Sequence, residues 1–259
     1  ALVSFKVENQ TEQTFSYQQI WDMTNKIALG LKQLGIEKND VVSCQLPNWW
    51  EFTLLYLACS RIGAVLNPLM PIFRERELEF MLKHGESKVF VVPKIFRNFS
   101  HEQLANQLHN KLDTLKHVVV VNGDGENNFD RLLLNHGLEQ NAAAVVALDG
   151  LESGPDDITQ LIFTSGTTGE PKGVMHTANT LFSNIVPYAE RLHLTENDVV
   201  LMASPMAHQT GFMYGLMMPI QLNTKVVLQD VWDVSKAVDL IHQHQVNFTM
   251  ASTPFLNDL

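Results

Sequence analysis

Apolar residues recur along this chain at two alternating rhythms. In "SYQQIWDMTNKIALGLKQLG" (16–35), Ile20, Met23, Ile27, Leu31 and Leu34 share one face at helical spacing. Ser16 and Gln19 are placed for a capping box, and Gly35 for a C-terminal stop. "DVVSCQL" (40–46) is a short apolar run that reads as a buried strand, and "WWEFTLLYLACSRIGAV" (49–65) is apolar nearly all round, which predicts a buried helix. The alternation continues with "KVFVVP" (88–93), a polar helix around 101–113, and "HVVVVN" (117–122). "ITQLIF" (158–163), "DVVLMA" (198–203), "KVVLQ" (225–229) and "VNFTM" (246–250) read as further strands, with a helix near 177–191. Such alternation predicts an α/β fold of stacked, mainly parallel sheets with flanking helices.

"GDGENNFD" (123–130) is a loop by composition, and "DGLESGPDD" (149–157) is the clearest linker. The expected organisation is a first α/β subdomain over 1–148, the linker 149–157, and a second α/β subdomain over 158–259, incomplete at its C-terminus. The chain starts at Ala1 on strand-like "ALVSFKV" and stops just after another apolar segment, which suggests a piece of a longer protein.

Composition narrows the functional classes. The 259 residues are 45% hydrophobic and 18% charged, enough to bury a sizeable core. A formal net charge of −10 without a Lys/Arg run argues against a nucleic-acid groove as the main surface. No apolar run is long enough for a membrane span, and no signal-peptide pattern opens the chain. Cys44 and Cys59 lie in apolar stretches without C-x-x-C spacing, so they read as buried thiols of a reducing compartment. The expected location is cytoplasmic, at most peripheral to a membrane.

The strongest candidate for chemistry is "LIFTSGTTGEPKGV" (161–174). From Thr164 to Gly173 it holds three glycines, four hydroxyls and one lysine directly after an apolar strand. Gly166, Gly169 and Gly173 permit close backbone approach, and main-chain N–H groups in such a turn can converge on phosphate oxygens. Ser165, Thr167 and Thr168 add donors, Lys172 adds a point charge, and Pro171 stiffens the turn. A Walker A loop requires G-x-x-x-x-G-K-[ST], and here Pro171 precedes Lys172 while Gly173 follows it, so that spacing fails.

"TSGTTGEPKG" (164–173) resembles the phosphate loop of the acyl-adenylate-forming (AMP-binding) enzymes, [ST]-S-G-[ST]-T-G-x-P-K-G, at every defined position. That superfamily includes acyl-CoA synthetases, peptide-synthetase adenylation domains and luciferases. "TFSYQQI" (14–20), "RIGAVLNPL" (61–69) and "SPMAHQTGF" (204–212) are similar to other family segments in the same order. In "HTAN" (176–179), Ala178 stands where the family often has histidine. The resemblance implies the N-terminal portion of an acyl-CoA synthetase-like large domain, nearest to a bacterial short- or medium-chain fatty-acyl-CoA synthetase. A carboxylate would attack the α-phosphate of ATP, giving acyl-adenylate and pyrophosphate, and coenzyme A would then displace AMP. Thr164, Ser165, Gly166, Thr167, Thr168, Gly169, Lys172 and Gly173 would bind the ATP phosphates, with Mg²⁺ on those phosphates and no protein ligand for it identified.

By the same resemblance His208, with Thr210, Gly211 and Phe212, would form the wall of the acyl site. "GFMYGLMMPI" (211–220) carries no charge; Met213, Met217 and Met218 suit either an adaptable wall or ordinary core. "SPMAHQTGF" offers no acid to pair with a substrate ammonium, which favours a simple carboxylic acid over an amino acid. His242 and His244 point to different faces of a helix, so a metal pair is not expected, and His101 and His109 are expected to be solvated. The family's adenine, ribose and metal-associated segments and its adenylation lysine would lie beyond residue 259, so these residues alone should lack turnover. An aryl-CoA ligase, a carrier-protein adenylation domain and a non-catalytic interaction fragment remain as alternatives, and an incomplete sheet could pair with a second copy into a homodimer.

Overall fold

A computed structural model describes residues 1–164 and 171–259. A hairpin of β1 (Leu2–Lys6) and β2 (Thr11–Phe15) leads into α1 (Tyr17–Gln33). The capping box forms: the Ser16 N–H donates to Gln19 Oε1 at 2.8 Å and the Gln19 N–H to Ser16 Oγ at 3.2 Å. At the far end the Ile36 N–H reaches back over Gly35 to the Leu31 carbonyl at 3.1 Å. Next come β3 (Val41–Cys44), α2 (Trp50–Arg61), β4 (Val65–Pro68), α3 (Glu75–His84) and β5 (Ser87–Pro93). A short hairpin, β6 (Ile95–Phe96) and β7 (Phe99–Ser100), precedes α4 (His101–Lys111) and β8 (His117–Val121). After α5 (Ala142–Val146) the chain forms β9 (Ile158–Thr164), β10 (Lys172–Thr177), α6 (Ala178–Arg191) and β11 (Val199–Met202). It closes with α7 (Gln209–Gly211), α8 (Met218–Gln221), β12 (Lys225–Gln229), α9 (Val234–His244), β13 (Phe248–Thr249) and α10 (Thr253–Asp258).

The described residues form two units. One comprises Ala1–Ile20, Pro47–Thr53 and Thr180–Leu259; the other comprises Trp21–Leu46 and Leu54–Asn179. The first unit carries a five-stranded sheet in the order β13-β11-β12-β1-β2, parallel except for the β1–β2 hairpin. Val3, Phe5, Leu201, Val227, Ala237 and Leu240 form a core where α9 covers one face of that sheet. The second unit carries a six-stranded sheet, β10-β9-β4-β3-β5-β8, parallel except for β9–β10. Phe90, Val92, Val118 and Val120 of β5 and β8 pack against Leu78, Met81 and Leu82 of α3 and Leu104 and Leu108 of α4. Continuous apolar strands are buried on both faces, as parallel sheets require.

The sheets do not divide at residues 149–157. β9 joins strands drawn from the first half of the chain, and β1–β2 join β11, β12 and β13. Composition marks a Gly/Pro/acid-rich surface segment but carries no record of which distant strands pair. That segment is also fastened rather than free. Arg61, 9% exposed, donates to the Leu148 carbonyl at 2.9 Å, Asp149 Oδ1 at 2.5 Å and Glu152 Oε2 at 3.1 Å, while Lys38 pairs with Asp157 at 2.8 Å.

His101 also departs from expectation. It is 1% exposed, with Nδ1 at 2.9 Å from Gln45 Oε1 and its ring edge-on to Phe99. The Gln45 amide nitrogen is spent on the carbonyls of Met70 and Phe73, so Gln45 Oε1 accepts from His101 Nδ1–H. Burial, with Arg74 nearby, pushes the imidazole down to about 4. The helix pattern correctly gave a polar outer face to α4, but could not show that the β6–β7 hairpin folds over its first residue. His109 is exposed, as anticipated.

Candidate functional site

The polar loop lies between two antiparallel strands. β9 and β10 pair in register from Ile158↔Thr177 to Thr164↔Lys172, so Thr164 and Lys172 form the last rung and residues 165–171 connect them. Ser165, Gly166, Thr167, Thr168 and Gly169 lie outside the described residues. Thr164 and Lys172 are both exposed, and Thr164 Oγ1 donates to the Lys172 carbonyl at 3.4 Å. Gly173 stands opposite Phe163, whose ring is edge-on to Phe80 of α3. Lys172 therefore stands at the mouth of the loop on a strand, whereas a Walker lysine opens a helix. The helix expected near 177–191 is α6, and β10 lies between it and the loop.

The base of this hairpin is tied as firmly as its rung. The Asn179 N–H donates to the Pro155 carbonyl at 3.0 Å, and Asn179 Nδ2 to Asp156 Oδ1 at 2.7 Å. A register shift between His176 and Thr177 sits just inside that tie, and burial holds the His176 imidazole below its ordinary range. Nothing in the sequence pattern assigns Asn179 a role beyond its place in "HTAN".

The His208 segment belongs to the other unit and follows β11. His208 is exposed and caps α7: its Nδ1 accepts from the Thr210 N–H at 3.3 Å, so in the neutral imidazole the proton sits on Nε2. Thr210 is half-buried, while Gly211 and Phe212 are buried. A Cβ on Gly211 would stand 2.2 Å from the Pro205 carbonyl oxygen, so only glycine lets α7 fold back this closely. Phe212 packs edge-on against Phe52 with ring centroids 6.4 Å apart. Of the four residues expected at the acyl wall, His208 and Thr210 reach the surface, whereas Phe212 is core.

From Phe212 to Met217 the helix widens to π geometry, with the Met218 N–H donating to the Met213 carbonyl. Met217 and Met218 are buried and Met213 half-buried. Tyr214 packs against Tyr188 in a tilted pair, ring centroids 4.6 Å apart, and donates from its hydroxyl to Asn184 Oδ1 at 2.8 Å. Desolvation raises both phenols above the ordinary tyrosine value, so they stay neutral hydrogen-bonding groups at neutral pH. Neither tyrosine was singled out by sequence, since an aromatic among apolar residues reads as core. His244 Nε2 meets Glu12 at 3.1 Å while His242 is exposed, and among the described residues no group of three or more His, Cys, Asp or Glu could hold a metal ion.

The model of the AMP-binding enzyme family matches residues 1–259. The chain is 34% identical over 246 residues to the medium-chain fatty-acid–CoA ligase of Escherichia coli K12, covering 95% of this chain and 43% of that enzyme. It is 33% identical over 196 residues to the 2-hydroxy-7-methoxy-5-methyl-1-naphthoate–CoA ligase of Streptomyces carzinostaticus, covering 74% of this chain and 35% of that one. Among solved structures, the inhibitor-bound N-terminal domain of FACL13 from Mycobacterium tuberculosis superposes with a TM-score of 0.80 at 25% identity, over 98% of this chain and 59% of that one. The chain thus spans less than half the length of the curated relatives it matches.

Proposed function

Because the chain belongs to the AMP-binding enzyme family, we propose that it serves as the N-terminal part of an ATP-dependent, AMP-forming acyl-CoA synthetase. A carboxylate oxygen bonds to the α-phosphorus of ATP as the bond to pyrophosphate breaks. The coenzyme A sulfur then bonds to the acyl carbon, AMP departs with the electron pair, and the thiol proton is released.

The observation that carries this reading is the β9–β10 hairpin, which fixes Lys172 opposite Thr164 at the mouth of a Gly/Ser/Thr loop. The ammonium of Lys172 and the hydroxyls and N–H groups of Thr164 to Gly169 are suited to the β- and γ-phosphates, where negative charge grows as pyrophosphate leaves. Mg²⁺, when bound, would supply charge neutralisation to the phosphates; among the described residues no group of three or more His, Cys, Asp or Glu could hold it. His208 presents Nε2–H outward, a donor suited to the acyl carbonyl or its thioester.

The preferred acid is an uncharged aliphatic chain of short or medium length. Residues 204–212 contain no carboxylate for a substrate ammonium, and the Escherichia coli relative is named for medium-chain fatty acids. An aryl acid is the second reading, favoured by the likeness to the naphthoate–CoA ligase. The buried thiols suit a reducing, cytoplasmic setting. Residues 1–259 by themselves are proposed to lack turnover.

Carboxylate-dependent ATP–pyrophosphate exchange on the full-length protein tests the proposal, across acetate, hexanoate, octanoate, palmitate, benzoate and the amino acids. Exchange peaking on one aliphatic acid, and falling roughly 10²-fold or more in Lys172→Ala, is expected. Exchange with none of them defeats the reading.

A further inference from the structure

The turn that delivers His208 is shaped by a residue far away in sequence. Asn48 is 2% exposed and belongs to the same unit as residues 202–212. Its Oδ1 accepts from the Met206 N–H at 2.7 Å. Its Nδ2 donates to the Ser204 carbonyl at 2.9 Å and the Gln229 carbonyl at 3.3 Å, with the Met202 carbonyl at 3.5 Å. A primary amide offers two donors and one accepting oxygen, and here every one of these bonds goes to main chain. Asn48 therefore dictates a backbone path, from the end of β11 through Ser204 to Met206.

That path ends on the imidazole. The His208 N–H donates to the Pro205 carbonyl at 3.0 Å, inside the span Asn48 holds. The opposite side of the turn is closed by Gly211, where a Cβ would stand 2.2 Å from the Pro205 carbonyl oxygen and 2.6 Å from that of Ser204. Thr53 Oγ1 contacts Met206 Sδ at 3.9 Å, and Phe52 meets Phe212. With the turn gripped from two sides, the Thr210 N–H donates to His208 Nδ1 at 3.3 Å.

We propose that Asn48 is the positioning residue for His208: by fixing the 204–206 turn it sets the imidazole's rotamer and tautomer, with Nδ1 toward the backbone and Nε2–H outward. Its value for the chemistry rests on the acyl-CoA synthetase reading above; its control of the imidazole does not. Buried amides that satisfy main-chain groups ordinarily stabilise a fold, and an Asn48 with that role alone leaves the state of His208 untouched when it is replaced.

Histidine ¹⁵N labelling of the full-length protein, with long-range ¹H–¹⁵N correlations, separates the two roles. Wild-type His208 should show the Nε2–H tautomer with Nδ1 accepting. Asn48→Ala should mix the two tautomers at His208 while the signals of His101 and His136 stay in place. Gly211→Ala pushes the same turn from its other side and should produce the same mixing, so it carries the test if Asn48→Ala does not fold. An unchanged His208 spectrum in a folded variant overturns the proposal. In activity, Asn48→Ala should slow acyl-CoA formation about tenfold when His208 is present and less than about twofold in a His208→Ala background. Equal losses in both backgrounds also overturn it. If the wild type exchanges no pyrophosphate with any acid, the functional reading fails, and the tautomer spectrum still decides the role of Asn48.

Discussion

Asn179 and Asp156 close the base of the β9–β10 hairpin, the side-chain amide of one donating to the carboxylate of the other at 2.7 Å. The pair lies at the opposite end of the hairpin from the Thr164–Lys172 rung, so it governs where the loop's two legs start. Both residues are exposed, and a neutral-to-charged hydrogen bond in that setting contributes only about 1 kcal/mol to stability. Its consequence for positioning is larger, because a small swing at the base is carried along the whole hairpin.

Asn179→Ala should leave thermal stability nearly unchanged and raise the KM for ATP in pyrophosphate exchange by roughly 3- to 10-fold. Asn179→Asp should do worse, since it sets two carboxylates against each other. Adding Asp156→Asn to Asn179→Asp rebuilds the same bond in reverse and should recover most of the loss. Steady-state kinetics on the three variants checks this, and failure of the reversed pair to recover would show that the bond does not position the loop.

The pH dependence of stability should carry the signature of His101. Its folded imidazole titrates near 4, below the ordinary value of 6.5. The folded state therefore favours the neutral ring. That contribution is complete above pH 6.5 and is lost as pH falls from 6.5 to 4, at about 1.4 kcal/mol per pH unit. Urea unfolding at half-unit pH steps should show this slope. In His101→Gln, which cannot take up the proton, the slope should fall by one proton across the same window.

Gly215→Ala tests the packing of the π-helical turn. A Cβ there would stand 2.3 Å from Met202 Cγ and 2.8 Å from Met202 Cβ, too close for a rotamer change to relieve fully. A destabilisation of about 2 kcal/mol is expected. Met202→Ala removes Cγ but keeps Cβ, so the double variant should recover part of the loss. Denaturant midpoints report both.

The elements read most easily from sequence are those whose burial is uniform. α2 is buried nearly all round, and the runs behind β5, β8 and β12 are apolar because parallel strands lie covered on both faces. β2 left no such mark: "TEQTF" is an edge strand with four exposed residues and exists because it pairs with β1. β10 is similar, since "KGVMHT" has an exposed first half and owes its strand form to β9. The phosphate-type loop was legible because its composition departs so far from that of an ordinary turn. Asn48 was not, because a side chain that bonds only to main chain selects no partner residue and leaves no motif. The buried state of His101 was hidden for a related reason: helical periodicity describes α4, whereas Phe99 and Gln45 come from elsewhere.

The pairing of β1 with β12 joins Leu2 to Val226 and Phe5 to Gln229. During synthesis the first hairpin therefore leaves the ribosome with one edge bare, and its partner follows roughly 220 residues later; at ~5–20 residues per second the wait is about 10–45 s. Over that interval every strand of the second unit's sheet, drawn from β3 to β10, is synthesised. The first unit holds the β1–β12 pairing of long sequence separation, and such non-local pairings are intrinsically slow to form. In the nascent chain β1 is thus the strand most in need of shielding from other polypeptides until β12 arrives.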